Sequence, residues 1–185
     1  MTTLTVKGKS FSAAELRGES QKSIKYLNCK FTGLEIKFSS FTDSVFENCD
    51  FSNVMLSSVN FENCVFTDSK LSWINFSQTQ LKKCEFNHCL LEGVTFEKNK
   101  LQKINFASSN LSSSVFMSCD LTRASLTKCD LSRVIFDHSK LIEANLSGSD
   151  IKGAGFDNCK IAKTILDLDG FINFGFSKGF ILSKD

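Results

Sequence analysis

Every fifth residue from 26 to 181 is apolar, without exception. The series opens Tyr26, Phe31, Ile36, Phe41, Phe46, Phe51 and closes Leu166, Phe171, Phe176, Ile181, giving 32 consecutive positions in one register. A second beat falls two places earlier and favours small residues, as at Cys29, Ser39, Ser44, Cys49, Cys64 and Ser69. We denote the large position i and the small one i−2. An α-helix repeats near 3.6 residues and a strand at 2, so a period of five belongs to neither. Self-similarity held at a fixed spacing predicts a solenoid. With two inward residues in five, the chain bends once per unit, and four units close one square coil.

The composition fits this geometry. The chain has 185 residues, 42% hydrophobic and 23% charged, enough to bury a core as one domain. Nineteen Phe against one Trp and one Tyr make sense if most Phe fill one repeated interior slot. Proline is absent, as continuous backbone ladders require. All eight cysteines (29, 49, 64, 84, 89, 119, 129 and 159) fall at i−2, where a free thiol serves as a small buried hydrophobe. That placement argues against a zinc site and against structural disulfides, and unpaired thiols suit a reducing compartment. No apolar run approaches the length of a membrane span, and no basic-then-apolar leader opens the sequence. The expectation is a cytoplasmic protein without membrane contact.

The units Cys49-Asp50-Phe51, Ser109-Asn110-Leu111, Cys119-Asp120-Leu121, Cys129-Asp130-Leu131, Ala144-Asn145-Leu146 and Ser149-Asp150-Ile151 follow one pattern. A small residue precedes Asp or Asn, then Leu or Phe, then two variable positions. Over residues 26–181 the chain resembles the pentapeptide-repeat family. The resemblance implies an all-β fold, a right-handed quadrilateral β-helix of about eight coils. Stacked at the strand spacing of about 4.8 Å, these give a rod on the order of 40 Å long.

The ends are expected to differ from the middle. The beat weakens to Val6, Phe11 and Leu16 and fails at Gln21. Residues 1–25 therefore read as an N-terminal cap, with Ser12 and Glu15 in a capping box. The solenoid is expected over 26–181 with a short tail over 182–185. Phe171, Phe174, Phe176, Phe180, Ile181 and Leu182 crowd its last coil, Phe174 being too large for an ordinary corner, and no covering helix is expected after them. They form a candidate homodimer end, the alternative being a tail folded over itself as a plug. Wider turns are expected where i−2 is bulky or polar, at Leu34, Ile74, Ile104 and Asn99.

Counting by twenties assigns outward residues to four faces. One face, through Phe41, Phe61, Leu81, Leu101, Leu121, Leu141 and Ile161, carries Lys82, Lys83, Lys100, Lys103, Arg123, Lys140, Lys160 and Lys163. Against them stand Asp43, Glu62, Asp120 and Glu143, leaving +4 on this face while the whole chain is +2. It is a candidate surface for phosphates or an acidic protein, the alternative being a solvated face that keeps the rod soluble. Trp73 points outward between Asn53 and Gly93, as a cover for bare backbone or as a binding anchor.

Catalytic chemistry has no foothold in this pattern. His88 and His138 lie two and a half coils apart and project from opposite faces. No phosphate loop, metal-spaced His pair or nucleophile elbow occurs. The reading is a bacterial, non-enzymatic scaffold without a cofactor or metal, binding another macromolecule, most simply a protein. The family resemblance also implies protection of the type II topoisomerases DNA gyrase and topoisomerase IV by DNA mimicry. A DNA mimic should be strongly acidic, and this chain is not. Nucleic-acid binding on the basic face is a third reading.

Overall fold

The computed structural model describes residues 4–183. Short parallel strands stack twenty residues apart to form a β-solenoid of about 8 turns. One sheet runs β1 (Leu4–Lys7), β3 (Ile24–Leu27), β6 (Val45–Glu47), β9 (Val65–Thr67) and β11 (Glu85–Asn87). A second runs β2 (Ser20–Lys22), β5 (Ser40–Thr42), β8 (Val59–Glu62) and β10 (Thr79–Lys82). Single bridges such as Lys100↔Asp120, Asp120↔Lys140 and Lys140↔Lys160 continue the second ladder. A third sheet holds β12 (Thr95–Glu97), β13 (Val115–Met117), β14 (Ile135–Asp137) and β15 (Gly155–Asp157), and β4 (Glu35–Lys37) pairs with β7 (Met55–Ser57).

The register works as expected through the body of the rod. From Tyr26 to Phe156 every i residue is buried except the half-buried Leu56. The rings stack coil on coil: Phe31 on Phe51 at 4.4 Å and 6°, Tyr26 on Phe46 at 4.8 Å and 5°, Phe46 on Phe66 at 4.6 Å and 8°. Around one coil they meet edge to face, as Phe46 and Phe51 do at 5.4 Å and 71°. Both arrangements suit aromatic quadrupoles.

The i−2 residues do more than fill corners. Their hydroxyl or thiol donates to the carbonyl of the large residue at the same corner one coil back. Ser69 Oγ donates to Phe46 O (3.3 Å), Ser109 Oγ to Phe86 O (3.0 Å), Cys64 Sγ to Phe41 O (3.3 Å) and Cys129 Sγ to Phe106 O (3.0 Å). At Ser44, Ser69, Ser109, Ser139 and Ser149 the oxygen also accepts from the i−2 N–H of the preceding coil, as from Cys49 N at 3.0 Å. Buried backbone groups need such partners.

The Asp and Asn of the repeat have a matching role. Asp50, Asn75, Asn105, Asn110, Asp120, Asp130, Asn145 and Asp150 each accept from the N–H two residues on. These Asx turns hold the start of corners closed by a backbone bond across the turn, such as Val54 N to Phe51 O at 3.1 Å. The residue two after i lies in the left-handed region at every corner from 8 to 163 except Ala13 and Gln78. Phe38, Trp73, Lys83 and Arg123 are among them, at φ of 56°, 64°, 54° and 60°.

Three expectations are corrected. Leu34 and Ile104 do not widen their corners: each sits in a turn closed by an ordinary bond, to Phe31 O and Leu101 O, both 3.2 Å. Val54, Val94 and Val134 occupy the same closed turns, which place any side chain inward without needing a donor. Asn99 uses its amide instead, Nδ2 donating to Phe76 O (3.1 Å) and Thr79 O (2.9 Å).

The coil starts earlier than residue 26. β1 pairs with β3, Ser10 bridges to Lys30, and Phe11 stacks on Phe31 at 4.8 Å, so residues 4–25 form a first coil rather than a separate cap. Gln21 is tolerated because the end of the tube leaves it half-exposed, its Oε1 3.4 Å from Tyr26 Oη. The capping box is present at helix α1 (Ala13–Leu16): Ser12 N–H and Oγ both donate to Glu15 Oε2 at 2.8 Å. The ion pair with Lys9 (2.8 Å) lowers the Glu15 pKa to about 2, helped by those two bonds.

The coil also ends earlier, near Leu166, and a helix does follow. Helix α2 (Leu168–Ser177) is capped by Asp167, whose carboxylate accepts from Gly170 N (2.8 Å) and from Gly148 N on the last coil. Phe174 packs edge-on against Phe156 (5.2 Å, 70°), and Lys178 Nζ donates to Phe156 O at 2.9 Å. Phe171 and Phe176 keep the five-residue beat in the sequence, yet they lie on a helix and face outward. Of the tail expected over 182–185, residues 184 and 185 lie outside the described residues.

Two outcomes test this core. Phe86→Ala, in mid-stack between Phe66 and Phe106, should cost about 3–5 kcal/mol by leaving a cavity, while Lys83→Ala should leave the melting temperature unchanged. Equal melting temperatures for the Phe variant and the parent protein would contradict the register. The eight cysteines are free thiols, seven buried and Cys159 half-buried. Burial pushes the Cys89 thiol up to about 12 and those of Cys49, Cys119 and Cys129 to about 11. Because burial shields the other seven, Ellman's reagent at pH 8 should titrate at most Cys159 in the native protein and all eight in guanidinium.

Candidate functional site

Two surfaces and one side chain stand out, and they occupy separate parts of the rod. The first is the basic face. Its eight cations are exposed and follow the ladder that starts with β2, β5, β8 and β10. Three of them are compensated along the rod axis. Lys82 pairs with Glu62, Arg123 Nε lies 2.7 Å from Glu143 Oε2, and Lys140 Nζ lies 3.5 Å from Asp120 Oδ2. Each pair joins residues twenty apart, because the ladder holds equivalent positions one coil apart.

Asp120 is the best-embedded acid here. Partial burial alone raises its pKa, but the Thr122 hydroxyl (2.6 Å) and N–H (3.1 Å) and the Gln102 amide (3.0 Å) hold it below the usual carboxylate range. Lys83, Lys100, Lys103, Lys160 and Lys163 have no acidic partner among the described residues. On the same face Asp43 is likewise without a cationic partner among the described residues; it lies toward the N-terminal end and accepts from Asn63 at 2.8 Å. Sequence counting found the charge but not its distribution, since pairing depends on which rotamers meet across coils.

The second surface is the C-terminal end. Of the six residues expected to crowd an open coil, Phe174 is turned inward onto Phe156 and is corrected from exposed to half-buried. The other five remain outside: Phe171 is 68% exposed, Phe176 51%, Phe180 74%, Ile181 92% and Leu182 61%. Leu168, at 76%, joins them and was missed in the sequence. Its signal was helical spacing, since Leu168, Phe171, Ile172 and Gly175 share one side of α2 while Gly170 and Phe174 share the other. The helix thus covers the last coil with one apolar side and presents a second to solvent.

The single side chain is Trp73, at a left-handed corner and 67% exposed. Its ring lies flat over Gly93 one coil on, so close that a Cβ there would fall 2.3 Å from ring carbons. Covering this backbone is therefore one of its roles. Gly93→Ala should displace the ring, and because Trp73 is the only tryptophan its emission should shift to the red. The alanine would also sit at φ +66°, costing about 1–2 kcal/mol. Unchanged emission would refute the contact.

Among the described residues no group of three or more His, Cys, Asp or Glu converges as a metal site, and no helix is long and apolar enough to cross a membrane. His138 Nδ1 contacts Asp137 Oδ1 at 2.8 Å on the outside of a corner.

The model of the family described as a pentapeptide repeat region matches residues 20–96 and 91–166. The chain belongs to the pentapeptide-repeat family. Its members are generally non-enzymatic scaffolds. No curated protein matches the sequence. Among solved structures, QnrB1, a plasmid-mediated fluoroquinolone resistance protein, aligns at 18% identity over 98% of this chain and 100% of its own, with a TM-score of 0.43. HetL, a pentapeptide repeat protein involved in heterocyst differentiation regulation from the cyanobacterium Nostoc, aligns at 15% identity over 91% of each chain, with a TM-score of 0.44. Rfr23 from the cyanobacterium Cyanothece aligns at 13% identity over 88% of this chain and 91% of its own, with a TM-score of 0.23.

Proposed function

We propose that this pentapeptide-repeat protein is a non-enzymatic scaffold that joins a second copy end to end through α2 and presents its rigid faces to another macromolecule. The observation that carries this reading is the doubly apolar helix. One side, with Phe174, has docked on the core. Away from that side Leu168, Phe171 and Phe176 stand in water, and large exposed apolar side chains gathered at one end of a protein mark an interaction surface. A second copy is the simplest occupant, because an isologous contact buries the same patch on both partners.

The measurement is molar mass by light scattering during size exclusion. The expected value is twice 20.6 kDa at micromolar protein. Phe171→Asp combined with Phe176→Asp should halve it and leave the melting temperature of the solenoid intact, since both rings are exposed. A parent protein that elutes at 20.6 kDa at tens of micromolar would sink the pairing.

Topoisomerase protection by DNA mimicry is the competing reading, prompted by the family resemblance. Its difficulty is sign: a surface that competes with DNA for a basic saddle must be acidic, whereas this rod carries a net +2 with its excess on one face. Gyrase supercoiling inhibited by a fluoroquinolone should therefore be unchanged by micromolar protein. Restored supercoiling would favour the mimic.

A further inference from the structure

We infer that the basic face binds the phosphate backbone of duplex nucleic acid without reading its sequence. This rests on the scaffold reading above and names its partner. After the ion pairs are set aside, five lysines remain uncompensated: Lys83, Lys100, Lys103, Lys160 and Lys163. They fall in two straight columns. Lys83, Lys103 and Lys163 share the left-handed corner, and Lys100 and Lys160 share the adjoining ladder position. Columns of this kind step in units of about 4.8 Å, so the set spans about 19 Å along the rod.

Three features select the partner. Ammonium groups aligned along the rod axis, whole coils apart, suit a linear polyanion better than an irregular acidic patch. Protein interfaces are depleted in lysine and centred on aromatic or apolar residues. On this face Phe41 and Phe61 are buried, and no aromatic ring is exposed. The absence of exposed rings also argues against single strands, which are held by stacking bases on aromatic platforms. What remains is contact with a duplex backbone, strong in charge and silent on sequence.

Five phosphate contacts set the scale. The slope of log K against log salt should be about −4.5 for duplex DNA, so affinity should fall several hundred-fold between about 50 and 200 mM salt. The experiment is fluorescence anisotropy of a labelled 20-base-pair DNA duplex, titrated with protein across that range. Lys83→Glu with Lys103→Glu should weaken binding at least tenfold at 50 mM salt and flatten the slope by about 2. Lys30→Glu with Lys70→Glu makes the same change in net charge on the opposite face, where both lysines are also exposed, and should leave binding within twofold.

Equal losses in the two double variants would overturn the inference, because net charge alone would then account for the attraction. So would a slope near zero, or a duplex that fails to bind while polyglutamate does, which would make the partner an acidic protein. Light scattering on the same samples separates this from the scaffold reading: a dimer that ignores DNA refutes only the inference drawn here.

Discussion

The pitch of a parallel backbone ladder, about 4.8 Å, is also a comfortable stacking distance for phenyl rings. The structure depends on that coincidence. Rings twenty residues apart stack at 4.4–5.4 Å because the ladder sets them there, and the ladder stays in register because the rings fill the tube. Neither would hold alone. Three-residue strands are too short to persist by themselves, and a column of rings has no reason to align without a fixed rise. The i−2 residues close the arrangement, with Ser, Cys or Asn donating to a main-chain carbonyl one coil back. The eight cysteines thus act as weak donors at the corners, and burial pushes the thiols of Cys49, Cys89, Cys119 and Cys129 up.

How legible was this in the sequence? The interior positions were so except at Leu56, because the five-residue beat runs through the body of the rod with no insertion to blur it. The ends were not. At the C-terminus Phe171, Phe176 and Ile181 continue the beat by chance, so the i column alone could not reveal α2. The i−2 column could have done so. It passes from Thr164 to Asp169 and Phe174, residues a corner does not take, while Asp167 followed by Gly170 is a helix-capping signal. At the N-terminus the single polar residue Gln21 hid the fact that Val6 and Phe11 already lie in the stack. The repeated left-handed corners left no trace either. They are occupied by Phe, Trp, Lys, Arg and Glu as readily as by Gly, because coil-to-coil bonding overrides the local preference.

The surfaces were half legible. Counting by twenties sorted the outward charges of the basic face into columns, and the ladders do join residues twenty apart. It could not say that Glu62, Asp120 and Glu143 would each meet a cation one coil away. That pairing matters, because it removes three cations from the stripe and leaves the remaining lysines as the part of the face able to exchange counterions. For Trp73 the column count named its neighbour, Gly93, but not that the ring would lie down on it.

The square coil has a consequence for how such a chain changes over time. Because each side uses five residues and each turn twenty, length and orientation are coupled like the thread of a screw. Removing twenty residues shortens the rod by one layer and leaves all later faces where they were. Removing five turns everything downstream by a quarter revolution, carrying Lys160 and Lys163 away from Lys83 and Lys103 while the core stays filled. Insertions and losses in whole turns therefore preserve a surface, whereas single units shuffle it. A lineage built on this plan can lengthen without losing its partner, or swap faces in one step without ever losing its fold.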